Sequence, residues 1–362
     1  MRELIVLLAI LLAAALLAFG ACAPNHSSGD DDDASPDDDD NDDSSPAPDD
    51  DSSPADDDST QSSWTPMTSG SSANLYGVWG SAPTDLFAVG AGGVVLHYDG
   101  SAWSPMTSGV TTDLAAVWGA SATDVFAVGI AGILHYDGSA WSAPGKGGAP
   151  DTGLAAVYGT SASDVFAVGN NGPIEIEHYD GATWTQMTGT SQNDLFGVWA
   201  ASGSDAFAGG GLGAADVCTI LQYDGATWTD MNVSSYATVS AIWGLSASDV
   251  LAAGCTGAAG PCLASALVYD GASWAETQLP GPAGYPNGIW GSSTSDVFIV
   301  GSFTDVNFAY QGSVVHYDGV MWSLTALAGQ PYLNAVWGTG LNDVFAVGDK
   351  GVILHYAGPP AK

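Results

Sequence analysis

The stretch Asp85-Leu86-Phe87-Ala88-Val89-Gly90 decides the organisation of this chain, because close copies of it begin at Asp124, Asp164, Asp205, Asp249, Asp296 and Asp343. Successive copies lie 39, 40, 41, 44, 47 and 47 residues apart, a spacing that belongs to repeat architectures. Each copy has the same companions. A Val-Trp-Gly or a variant precedes it, with its aromatic residue at Trp79, Trp118, Tyr158, Trp199, Trp243, Trp290 and Trp337. A His-Tyr-Asp-Gly or a variant follows it, with its tyrosine at Tyr98, Tyr136, Tyr179, Tyr223, Tyr269, Tyr317 and Tyr356. In the first six copies a second tryptophan stands four residues beyond the turn aspartate, at Trp103, Trp141, Trp184, Trp228, Trp274 and Trp322.

Each unit supplies four short β segments, for instance Leu75 to Trp79, Leu86 to Val89, Val94 to Tyr98 and Trp103 to Thr107. Their β-branched and aromatic residues suit strands. The Asp-Gly between the third and fourth is a hairpin signal, since a tight turn needs a positive φ that glycine adopts without strain. Ser, Thr and Asp before the second segment suit side-chain-capped turns. Four antiparallel strands repeated seven times, with no helix between, describe an all-β chain folded as a seven-bladed β-propeller. The seventh copy ends at His355-Tyr356-Ala357-Gly358 without its second Trp, while an orphan Trp64-Thr65-Pro66-Met67 matches Trp103-Ser104-Pro105-Met106. Trp64 to Thr68 is therefore expected to be the outer strand of the last blade, closing the ring and leaving no open edge. All 13 Trp then fall on two repeat positions, so packing is their expected role.

These units resemble the propeller repeats of the kelch, galactose-oxidase and Asp-box type, including photosystem II assembly factor-like propellers, over residues 64 to 362. Tyr-Asp-Gly-x-x-Trp is similar to the kelch Tyr and Trp pair, although the kelch double glycine is mostly lacking, with Gly209-Gly210 one exception. It is also similar to the Asp-box, with one residue fewer between Asp and Trp. The resemblance implies the fold and no activity. Sialidases share the architecture but hold the substrate carboxylate with an arginine cluster, and the one arginine here is Arg2.

Charge divides the chain. Its 40 Asp and Glu against 4 Lys and Arg exclude nucleic-acid partners, which need cations to displace phosphate counterions. Residues 27 to 63 hold 16 Asp among Ser, Pro and Ala, a composition that cannot bury enough apolar surface to order itself and reads as an extended tether. Residues 64 to 362 keep 23 acidic residues against Lys146, Lys350 and Lys362, a net of −20. Before the tether, an apolar run from Leu4 ends in Phe19-Gly20-Ala21-Cys22. It resembles a bacterial lipoprotein signal, which implies removal of residues 1 to 21, lipidation of Cys22 and a tether over 22 to 63. Ala23 after the cysteine implies sorting to the outer membrane of a bacterial cell envelope, surface-exposed or periplasmic. Leu4 to Ala23 is also long enough for an uncleaved transmembrane helix. Both readings put the remainder outside the cytoplasm.

No residue here points to catalysis, a metal or a cofactor. Five of six His precede the repeated tyrosine, at His97, His135, His178, His316 and His355, and residues repeated once per blade are spread around a ring. A two-carboxylate glycosidase would have to draw on Glu175, Glu177 and Glu276 besides the aspartates. Cys255 and Cys262 are candidates for a disulfide in an oxidising exterior, with Cys218 either free or a competing partner. Connections within each unit are constant on one face, whereas those between segments two and three lengthen at Gly211 to Val217, Cys255 to Pro261 and Ser302 to Gly312. Variable loops on a rigid frame usually carry function, although unselected drift would lengthen them too. Phe303, Asp305, Asn307, Phe308 and Tyr310 give the longest a mixed aromatic and polar character. The expectation is a monomeric, non-catalytic module that binds a protein partner through this face, with carbohydrate binding as the alternative and a glycan hydrolase or lyase as the third.

Overall fold

A computed structural model describes residues 64–143, 153–169, 175–189, 193–211, 218–233, 238–256, 262–281, 283–304 and 310–358. The chain divides into two units, 1–56 and 57–362, and all the described residues belong to the second. The leader, Cys22 and the acidic segment lie outside them.

Seven four-stranded antiparallel sheets form the propeller. In blade one the strands run from the axis outward as Leu75–Ala82, Asp85–Gly90, Val95–Tyr98 and Trp103–Met106. Blades two to six repeat this order. In blade seven the outermost strand is Trp64–Met67, paired with Ile353–Tyr356 in the register Trp64 opposite Tyr356 through Met67 opposite Ile353. The first described residues thus complete the last sheet.

The repeated residues explain the packing. Leu86 to Gly90 are all buried, and so are their counterparts in every copy, because each second strand is covered on both faces by neighbouring blades. The closing glycine of the hexapeptide has a separate cause. A Cβ on Gly90 would stand 2.0 Å from the carbonyl oxygen of Asn74, and one on Gly348 2.0 Å from that of Tyr332. The same contact occurs at Gly210, which accounts for the second member of Gly209-Gly210.

Blades meet through a tryptophan laid on a glycine. The Trp79 ring end would be 2.6 Å from a Cβ on Gly119, and Trp118, Trp199, Trp243 and Trp290 cover Gly159, Gly244, Gly291 and Gly338 in the same way. Trp337 covers Gly80 of blade one, so the seam is packed like every other joint. Blade three has Tyr158 in place of the tryptophan, and blade four answers with Ala200 in place of the glycine, both in one core cluster. Farther out, Trp141 meets Phe87 edge-on at 6.2 Å, and Trp64 meets Phe298 at the same distance and orientation. Trp64 therefore fills the role of the second tryptophan in blade seven.

The short-turn face is built from engaged carboxylates. Each described repeat histidine bonds the hexapeptide aspartate of its own blade, from His97–Asp85 at 2.7 Å to His355–Asp343 at 2.6 Å, and Ser81, Thr160, Ser292 and Thr339 donate to the other oxygen of four of these aspartates. In the Asp-Gly turns, Asp99 accepts the Ser101 hydroxyl at 2.6 Å and the amides of Ser101 and Ala102 at 2.9 Å. The Ser101 hydroxyl first, then those amides, hold Asp99 down at about 2, and Ser139 with Ala140 does the same for Asp137. A carboxyl whose folded value is depressed stabilises the fold above its unfolded value of 3.8 and loses that contribution as pH falls toward about 2. Urea midpoints should therefore drop between pH 4 and 2. Asp99→Asn with Asp137→Asn should make that drop shallower, and an unaltered slope would contradict the assignment.

Candidate binding face and axial channel

Because strands alternate in direction, the start of every inner strand, the end of every second strand and the start of every third strand share one face. The lengthened connections open there. Trp64, at the start of its strand, lies on the opposite face with the end of Ile353–Tyr356.

On the axis, three successive residues from each inner strand line a channel with a cavity volume of about 240 Å³. Every inner strand carries two register shifts, and the first lies between Leu75 and Gly77 in blade one and at the equivalent point in the other six. A bulge leaves one residue unpaired and re-aims its side chain. Here those residues are Tyr76, Ala115, Ala155, Phe196, Ser240, Asn287 and Asn334, all half-buried at the loop-face end of the channel. The residue after the bulge is always Gly or Ala, because neighbouring strands approach too closely for more: a Cβ on Gly77 would be 3.0 Å from the Cα of Ala116. Variation among repeats is therefore concentrated at the bulge. The ring it forms is lopsided, with alanines on blades two and three and larger or polar side chains on blades four to seven and one. Asn287 donates to the Leu333 carbonyl at 2.8 Å, and Asn334 to that of Leu75 at 2.9 Å and to Asp349 at 3.0 Å. These amides stitch blades six, seven and one together at the channel mouth.

A second pattern singles out this face. Every aromatic residue of the propeller that does not occupy a repeat position, among the described residues, stands at this end of the blades: Tyr76, Phe196, Tyr285, Tyr310 and Tyr332 on the face, and Phe303 buried beneath it. Tyr236 and Phe308 are outside the described residues. Tyr285, Tyr310 and Tyr332 are 46%, 37% and 43% exposed, and the rings of Tyr285 and Tyr310 sit 5.5 Å apart with planes 38° apart. Burial, then Tyr285 with its side-chain hydrogen bond, then Tyr332, push the Tyr310 phenol up to about 12, so it stays neutral. Tyr332 and Tyr285 each stand two residues before the channel residues Asn334 and Asn287. Sequence reasoning named Tyr310 within the longest insertion and missed Tyr285 and Tyr332. Subtracting the repeat aromatics from the composition would have found them.

The insertion after the second strand of blade six is partly ladder. Asp296–Thr304 and Tyr310–Tyr317 pair as far as Thr304 opposite Tyr310. Phe303 is corrected accordingly: it is fully buried in the core and lies against Gly284, where a Cβ would be 2.3 Å away. It offers no contact surface. Asp305, Asn307 and Phe308 lie outside the described residues, and Tyr310 alone of the five is a described, exposed side chain.

Cys255 and Cys262 form a disulfide with Cα atoms 5.4 Å apart, across the loop-face end of blade five. Cys218 is free and buried, and burial first, then Asp230 and Glu276, push its thiol up to about 12. Glu175 and Glu177 are buried in the third strand of blade three, whereas Glu276 is exposed on the outer strand of blade five. Glu175 and Glu177, two residues apart, lie on one face of the blade-three strand. Among the described residues no three His, Cys, Asp or Glu are gathered to hold a metal, and no helix is long and apolar enough to cross a membrane.

No family model matches this chain, and no curated protein matches it. Solved structures do. The chain is similar to YCF48 bound to D1 peptide at 14% identity and a TM-score of 0.60, over 81% of this chain and 96% of that one. It is similar to the WD40 beta propeller domain of Doa1 at 11% identity and a TM-score of 0.62, over 82% and 97%. The extracellular domain of BT4673 from B. thetaiotaomicron matches at 11% identity and a TM-score of 0.61, over 81% of this chain and 39% of that one. At these identities the likeness is one of fold.

Proposed function

We propose that this chain is a bacterial cell-envelope lipoprotein, anchored through Cys22, whose propeller is a non-catalytic scaffold that binds a protein partner on its loop face and channel mouth. One observation carries the reading: a chain of near-identical blades places its non-repeat aromatics at one end of the blades. Drift would scatter them over both. Aromatic side chains supply much of the contact energy at protein interfaces. YCF48, with the same fold, has been captured with a peptide, which supports a peptide-sized partner.

The test is affinity capture from the native envelope by the full chain and by Tyr310→Ala with Tyr332→Ala. Both side chains are exposed, so removing them leaves the core, buried Phe303 included, intact. Loss of the captured partner with an unchanged melting temperature is expected. Equal recovery would remove the loop face from the account. For the anchor, Cys22→Ser should release the protein or block its processing, and unchanged mass and membrane retention would favour the uncleaved helix. Carbohydrate binding is the second reading, favoured by exposed tyrosines beside the Asn287 and Asn334 amides, and a glycan array distinguishes it.

A further inference from the structure

We infer that the sector of the loop face over blades six, seven and one receives a cationic, Arg- or Lys-bearing peptide segment. This rests on the reading of that face as the binding surface and names the chemistry of what it binds. Three observations meet there. Tyr285, Tyr310 and Tyr332 form an exposed group, and phenol rings offer their negative faces to cations. Asn287 and Asn334 spend their amide hydrogens on backbone carbonyls, with a further bond from Asn334 to Asp349. Their side-chain oxygens accept no hydrogen bond from protein among the described residues, which leaves two acceptors at the channel mouth. The propeller as a whole carries a net charge of −20 from 23 acidic residues and three lysines, a field that draws cations inward and repels acidic partners.

The opposite face is also rich in aspartate, but there the carboxylates are engaged. Those of the Asp-Gly turns accept backbone amides, and the hexapeptide ones bond histidine or hydroxyl side chains or, at Asp205, the Gln222 amide. No non-repeat aromatic among the described residues lies beside them. The field is therefore general, and the seat is on the loop face.

The test uses the full chain in detergent and labelled octapeptides of alternating Gly with Arg, Ser or Glu, read by fluorescence anisotropy, with chitotetraose as a glycan arm. The Arg peptide should bind about tenfold or more tighter than the Ser peptide, and the Glu peptide should not bind. Replacing Tyr285, Tyr310 and Tyr332 together by Ala should weaken the Arg peptide about tenfold, whereas replacing all three by Phe should keep it within about threefold, because the ring faces remain. If the triple Ala variant does not fold, Tyr332→Ala alone should give a loss of about threefold. An Ala variant that binds like the parent would mean that the aspartates of residues 30 to 58 hold the peptide, and would overturn the inference. Equal or tighter binding of the Ser peptide or of chitotetraose would overturn it as well. If the tyrosine variants lose the envelope partner while the Arg peptide shows no preference, this inference fails and the binding face stands. If neither changes, both fail.

Discussion

Deleting Trp64 through Met67 is expected to cost about 4 to 6 kcal/mol, summing a large aromatic removed from its packing and the loss of a four-residue ladder. Domains of this kind are stable by only about 5 to 15 kcal/mol, so the truncated chain should be largely unfolded or aggregated at physiological temperature. The four residues complete the sheet of blade seven opposite Ile353–Tyr356. Trp64 also reaches across to Phe298 of blade six and lies 5.4 Å from Tyr356. Without them an edge strand rich in apolar residues is exposed to pair with other chains. Urea denaturation followed by tryptophan fluorescence checks this, with Trp64→Ala as the milder case at about 3 kcal/mol. A midpoint unchanged by the deletion would mean that the ring is not held shut at this point.

The second large effect is a compensated pair. Tyr158→Trp should destabilise the propeller by about 1 to 3 kcal/mol, because the larger ring would meet the Ala200 methyl where every other tryptophan finds a glycine. It would also lose the hydrogen bond that the Trp199 indole gives the Tyr158 hydroxyl. Tyr158→Trp combined with Ala200→Gly should recover most of the loss. A double-mutant cycle should therefore return a coupling of about 1 to 2 kcal/mol. Additive effects would show that the two positions do not answer each other, and that the tryptophan-on-glycine contact is not what sets the angle between blades.

The repeat made the fold legible. Period, turn aspartates and the orphan Trp64 imply seven sheets and their closure, because backbone pairing and turn chemistry are local properties that a sequence carries in its spacing. The site was less legible, for a physical reason. Phe303 looks like a loop aromatic in the sequence and is a core residue, since the hairpin of blade six continues past its usual length and folds that ring onto Gly284. The bulges that turn Tyr76 and Asn334 toward the axis shift the register by one residue. Nothing local distinguishes them from strand residues facing the core. The pairing of His97 with Asp85 was hidden likewise, because it joins residues 12 apart across two strands. By contrast, the exposed tyrosines were available in the sequence as the aromatics left over when the repeat is subtracted, and only their shared face needed the topology.

The central claim is that this propeller acts through its loop face. A photo-reactive amino acid placed at Tyr332 and, separately, at Val320 tests it most directly. Val320 is 85% exposed in a turn of the opposite face, so both positions are open to solvent. Irradiation of intact envelopes should give a discrete cross-linked adduct from position 332 and none from position 320. An adduct from 320 alone, or equal adducts from both, would contradict the account.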